Sequence, residues 1–112
     1  MKDENRVAVV TGGSRGIGKA IAIKLAKENC DVLITYQKDK ASADATVDTL
    51  KCLGKEALSL QIEMSNPTAG ATICSYALKE FGKIDVLVNN AGIGSPKRFI
   101  VDSKETDWYR TI

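Results

Sequence analysis

Four short, nearly all-apolar runs recur along the chain: RVAVVT at residues 6–11, DVLITY at 31–36, EALSLQI at 56–62 and IDVLVN at 84–89. Runs that stay apolar instead of alternating belong to strands buried on both faces, which occur almost only in parallel sheets covered by helices. The segments between them carry apolar residues at helical spacing: Ile17, Ile21 and Leu25, then Ala43, Val47 and Leu50, then Ala69, Ile73, Tyr76 and Ala77. Gly54 and Gly82 stand where helix C-caps belong, and Asn66-Pro67 has the form of a cap followed by a proline in the first helical position. The order β-α-β-α-β-α-β predicts an α/β fold, one side of a doubly wound parallel sheet, and right-handed crossovers make the strand order 3-2-1-4. Beyond it, a loop is expected over residues 90–102, then a helix starting near Ser103 and still running at Ile112. The fourth strand would then expose an unpaired edge carrying Val86, Leu87 and Val88.

At 112 residues, with 44% apolar and 27% charged residues, the chain has ordinary globular composition, and one packed domain over residues 1–112 is expected. Lys and Arg number 16 against 14 Asp and Glu, scattered without a basic stripe, so neither nucleic acid nor a membrane is an expected partner. Cys30, Cys52 and Cys74 are far apart, odd in number and without a CxxC pair, and there is no histidine. Zinc and disulfide frameworks are thereby disfavoured, leaving three small, mostly buried hydrophobes in a reducing compartment. The start, MKDENRVAVV, lacks the longer hydrophobic segment of a signal peptide, and no run is long enough to span a bilayer. A soluble cytoplasmic protein is expected.

The segment richest in chemistry is TGGSRGIG, residues 11–18, between the first strand and the first helix. Gly12, Gly16 and Gly18 permit a tight turn whose backbone N–H groups can approach an anion, and the following helix N-terminus adds partial positive charge where a pyrophosphate would sit. Such a turn alone is weak evidence, since many strand-to-helix turns tolerate glycine. Two further motifs follow in order: IEMSNP after the third strand and NNAG, residues 89–92, after the fourth.

Together the three motifs resemble the short-chain dehydrogenase/reductase family, and the wording is similar to its 3-oxoacyl-carrier-protein reductase-like members, over residues 7–112. The resemblance implies a Rossmann-type domain with Gly12, Ser14, Arg15, Gly16, Ile17 and Gly18 at the cofactor's phosphates. It places Glu63, followed by Met64, at the adenine, where family members usually have Asp; the carboxylate is kept but is one methylene longer. Asn90, Ala91 and Gly92 would pass along the cofactor ribose, with Asn89 helping to hold the sheet.

NAD users commonly end the second strand in an acid that binds the ribose 2′-hydroxyl, whereas this chain has Tyr36 there. Arg15, with Ser14 beside it and Lys38 nearby, offers charge and a hydroxyl to a 2′-phosphate, so NADP(H) is favoured over NAD(H). Two other matches fall away. The stretch GSRGIGKA at residues 13–20 nearly fits a Walker A loop, but Ala20 stands where Ser or Thr must ligate magnesium. Tyr36 and Lys40 have the family's Tyr-x-x-x-Lys spacing, but Tyr36 ends a strand and Lys40 lies across a turn, so the one-turn geometry of a helix is lost.

Family enzymes reduce a carbonyl, or oxidise an alcohol, by hydride transfer, while a tyrosine assisted by lysine, serine and asparagine handles the proton. All four lie beyond the NNAG motif in the family, so no catalytic residue is assigned within 1–112, and the reading is an N-terminal portion truncated at its C-terminal side. The whole enzyme would take a small carbonyl or alcohol substrate and, as family members often are tetramers, form a homo-oligomer. The alternative is a catalytically inactive module that binds a nucleotide or a partner.

Overall fold

The computed structural model describes residues 5–90 in full and, beyond them, the backbone of Lys97–Val101 and Trp108–Thr111. The first run forms β1 (Arg6–Thr11), and the chain continues through α1 (Gly16–Lys27), β2 (Cys30–Tyr36), α2 (Lys40–Cys52), β3 (Ala57–Gln61), α3 (Ala69–Phe81) and β4 (Val86–Asn89). The four strands pair in parallel in the order β3-β2-β1-β4, as the sequence predicts. Val9 of β1 sits between Leu33 of β2 and Leu87 of β4, so the centre of the sheet is apolar in both directions.

Both faces are covered. Ala8, Val10, Val32 and Ile34 meet Ala22 and Ala26 of α1 and Ala43 and Leu50 of α2, while Val9 and Leu33 meet Ile73 and Ala77 of α3 on the other side. Leu33, Ile34, Leu50 and Ile84 are fully buried, each such side chain stabilising the fold by about 1.5–3 kcal/mol before entropy is charged against it. Carboxylates fasten the lower ends of the strands: Asp85 accepts the N–H of Val7 at 2.8 Å, and Asp31 that of Glu56 at 3.0 Å. Gly54 and Gly82 turn the chain at the ends of α2 and α3 in the left-handed conformation expected of them.

Four details depart from the sequence reading. Ile17 is 62% exposed, and the fully buried spine of α1 is Gly18, Ala22 and Ala26, while Ile21 and Leu25 of the predicted face pack half-buried against the same core. The i, i+4 spacing is the same but displaced by one residue, because the helix lies too close to the glycine turn for large side chains at its nearest points. At α3 the helix begins at Ala69 with Thr68 as N-cap; Asn66 Oδ1 accepts from Thr68 N at 2.9 Å, so Asn66 and Pro67 build the turn before the helix. Cys30 is buried, Cys74 half-buried and Cys52 exposed.

The largest departure follows β4. Where a loop is predicted, β5 (Lys97–Val101) runs antiparallel to β4, and where a helix is predicted, β6 (Trp108–Thr111) pairs antiparallel with β5. The sheet is therefore mixed and six-stranded, β3-β2-β1-β4-β5-β6, and the edge carrying Val86, Leu87 and Val88 is covered. An open strand edge presents backbone donors and acceptors that must be satisfied, and KRFIV and WYRT, rich in aromatic and β-branched residues, suit that pairing. Ser103 lies outside the described residues.

Candidate functional site

At the upper end of the sheet, β1 has β2 on one side and β4 on the other; α1, which leaves β1, packs on one face, and α3, which leads into β4, packs on the opposite face. Such a switch point leaves a crevice beyond the strand ends. Residues 11–18 form its near wall. Thr35, at the end of β2, pins the turn twice: its Oγ1 accepts from Gly12 N at 3.1 Å and its carbonyl from Gly13 N at 3.2 Å. From behind, Thr46 of α2 donates its hydroxyl to the Ser14 carbonyl at 2.7 Å while fully buried.

The turn then enters α1 through Gly16 at φ 62°, a left-handed conformation that a side chain would strain. Gly18 meets the opposite constraint, since a Cβ there would lie 2.1 Å from the Gly12 carbonyl oxygen. Arg15, the N-cap of α1, makes no side-chain hydrogen bond to the helix, and the first turn holds no acid. The first N–H groups of α1, which have no partner within the helix, therefore face the crevice with the positive end of the helix dipole. That combination suits an anion.

The floor is a polar knot between β1 and β4. Thr11 Oγ1 donates to Asn89 Oδ1 at 3.0 Å and accepts from Asn90 N at 2.8 Å, while Asn90 Nδ2 reaches the Gly12 carbonyl at 3.4 Å. Asn89 thus holds the sheet, as its sequence position suggests. The far rim is built from the ends of β2 and β3. Glu63 is exposed, accepts from Gln37 Nε2 and from Ser65 Oγ at 2.9 Å, and its carboxyl is held below the ordinary range, chiefly by the Ser65 hydroxyl.

The resulting cleft has a volume of about 370 Å³. Of the residues singled out from the sequence, Gly12, Ser14, Arg15, Gly16, Tyr36, Met64 and Asn90 line it. Ile17, Gly18 and Glu63 stand outside its walls, Gly18 supporting the turn and Glu63 sitting on the rim. Ala91 and Gly92 lie outside the described residues. Thr35, Gln37 and Ile62 also line the cleft. The hydroxyl of Thr35 at the end of an apolar strand is the sequence signal for its part; Gln37 and Ile62 have none.

A larger hollow of about 430 Å³ opens between α3 and β4, but no charged residue lines it and Ile73, Cys74 and Leu87 make it mostly apolar, so it offers phosphates nothing. Among the described residues no cluster of His, Cys, Asp and Glu could hold a metal, and no helix is long and apolar enough to cross a membrane. Tyr36 is buried at the end of β2, and Lys40, at the start of α2, is paired to Asp44 at 2.9 Å.

A parallel α/β sheet with a glycine turn, an uncapped helix N-terminus and a polar crevice at its switch point defines a nucleotide-binding architecture of the Rossmann type. The chain belongs to the short chain dehydrogenase family, whose sequence model matches residues 6–112. It is 44% identical over 92 residues to an uncharacterized oxidoreductase of Methylorubrum extorquens, covering 82% of this chain and 37% of that protein. To the 3-oxoacyl-[acyl-carrier-protein] reductase FabG of Staphylococcus epidermidis it is 38% identical over 104 residues, 93% of this chain and 42% of the reductase. A short chain dehydrogenase from Burkholderia cenocepacia, solved in complex with NADP, superposes with a TM-score of 0.76 at 44% identity, over 80% of this chain and 37% of that one. The chain thus spans about two fifths of the length of the relatives it matches.

Proposed function

We propose that residues 1–112 are the cofactor-binding domain of an NADP(H)-dependent oxidoreductase that interconverts a small carbonyl compound and an alcohol. When bound, the nicotinamide supplies the hydride; everything this stretch of chain does is binding and orientation. Backbone N–H groups of Ser14, Arg15, Gly16, Ile17 and Gly18, in the turn that Gly12 opens, hold the pyrophosphate at the α1 N-terminus. Tyr36 flanks the adenosine ribose, Glu63 and Met64 border the adenine, and Asn90, Ala91 and Gly92 follow the ribose on the nicotinamide side. Glu63 suits the adenine amine because its ionised carboxylate is a pure acceptor.

The observation that carries the choice of cofactor is the exposed Arg15 side chain on the wall of a cleft that Tyr36, a strand end without an acid, also lines. A related protein of the same fold was solved with NADP, which supports the reading. The test is Arg15→Ala in the whole protein: NADP(H) affinity falls about tenfold to a hundredfold, the worth of a charge-assisted hydrogen bond, with little change for NAD(H). Equal losses for both cofactors would make Arg15 a support of the turn. The whole protein is further proposed to be a cytoplasmic homo-oligomer. The group that moves the proton is not assigned among residues 1–112, so this stretch expressed alone should oxidise no NADPH with ketones or 3-oxoacyl esters; steady turnover would refute that.

A further inference from the structure

Arg15 already has an anion beside it. Its Nη1 lies 3.7 Å from Asp39 Oδ2, and Asp39 is a fixed carboxylate, the N-cap of α2. Oδ1 accepts from Ser42 N at 3.0 Å and Oδ2 from Ser42 Oγ at 2.7 Å, and these two bonds, with the charge of Arg15 adding less, hold the carboxyl below its ordinary range. Of the neighbouring lysines, Lys40 is engaged with Asp44 at 2.9 Å, and Lys38 lies close enough to Glu63 to favour its carboxylate. A phosphate on the adenosine ribose that reached Arg15 would meet Asp39 within a few ångströms.

We propose that Asp39 is a specificity-setting residue, which competes with the 2′-phosphate for Arg15 and thereby narrows the preference for NADP(H) over NAD(H). The inference rests on the NADP(H) reading above. A 2′-hydroxyl carries no charge, so Asp39 leaves NAD(H) nearly untouched, whereas a phosphate of charge near −2 is repelled through partly screened solvent. At a separation of about 6 Å and a dielectric close to that of water, this repulsion corresponds to about three- to tenfold in affinity.

The test is Asp39→Asn in the whole protein, because Asn caps a helix as well as Asp and keeps an acceptor for Ser42 N. Asp39→Ser, which caps through a hydroxyl, is the second variant. Calorimetric titration with NADP⁺ and NAD⁺ should show NADP⁺ bound about three- to tenfold more tightly by both variants, NAD⁺ changed by less than about twofold, and the gain shrinking in high salt. Unchanged NADP⁺ affinity, an equal change for both cofactors, or weaker NADP⁺ binding, which would mean that Asp39 orients Arg15 for the phosphate, overturns the proposal. The wild-type preference and Arg15→Ala report separately on the cofactor reading, so its failure is distinguishable from failure of the role given to Asp39.

Discussion

Replacing Gly18 by Ala sets two effects of opposite sign against each other. Alanine in a helix is favoured over glycine by about 1 kcal/mol, so propensity alone predicts a more stable protein. The added Cβ, however, would lie 2.1 Å from the Gly12 carbonyl oxygen and 2.8 Å from Asn90 Nδ2. Carbon and oxygen in weak hydrogen-bonding contact stand about 3.3–3.6 Å apart, so the turn and the helix must separate by about 1 Å. The obstacle is backbone, which cannot rotate aside, and overpacking of this kind costs about 1–3 kcal/mol, here at the upper end. The net expectation is a loss of about 2 kcal/mol, which lowers the urea midpoint by about 1 M for an m-value near 2 kcal/mol/M. Gly70→Ala is the control, because Gly70 lies in α3 with nothing within 4 Å of its Cβ position and should gain about 0.5–1 kcal/mol. Equilibrium urea unfolding of the whole protein, followed by circular dichroism, reads both. A Gly18→Ala midpoint at or above wild type would refute the close approach of α1 to the turn.

Thr46→Val preserves shape but removes the 2.7 Å hydrogen bond to the Ser14 carbonyl, and should cost about 1–3 kcal/mol while weakening NADP(H) binding; a variant with wild-type stability would show that α2 does not brace the turn. Stability should also fall in acid. The folded-state values of Asp39 and Glu63 lie below their ordinary 3.8 and 4.5, so their contribution is complete above those values and is lost as pH falls through the lowered ones. The double variant Asp39→Asn/Glu63→Gln should therefore lose less melting temperature between neutral pH and pH 3, and parallel curves would contradict the assignment.

The parallel core was legible because its strands are buried on both faces, which forces continuous apolar runs, and because right-handed crossovers leave one strand order for that pattern. The glycine turn was legible for a similar reason, since its left-handed conformation at Gly16 strains most residues that carry a side chain. Spacing could not settle which line of α1 is buried most deeply: Ile17-Ile21-Leu25 and Gly18-Ala22-Ala26 have the same period, Ile21 and Leu25 also pack against the core, and the close approach to Gly12 places the small set innermost. The strands at Lys97–Val101 and Trp108–Thr111 were hidden because an edge strand owes its pairing to the free edge of β4, a partner remote from its own residues. Among the cleft's lining residues, those at the tight turn and at the end of β4 announced themselves through glycine and asparagine. Thr46 and Asp39, which stand behind the turn and beside Arg15, did not, because what a hydroxyl or carboxylate does depends on what lies across from it: the Ser14 carbonyl and the Arg15 guanidinium. These contacts join segments separated in sequence and are made only when β1, β2 and α2 pack together.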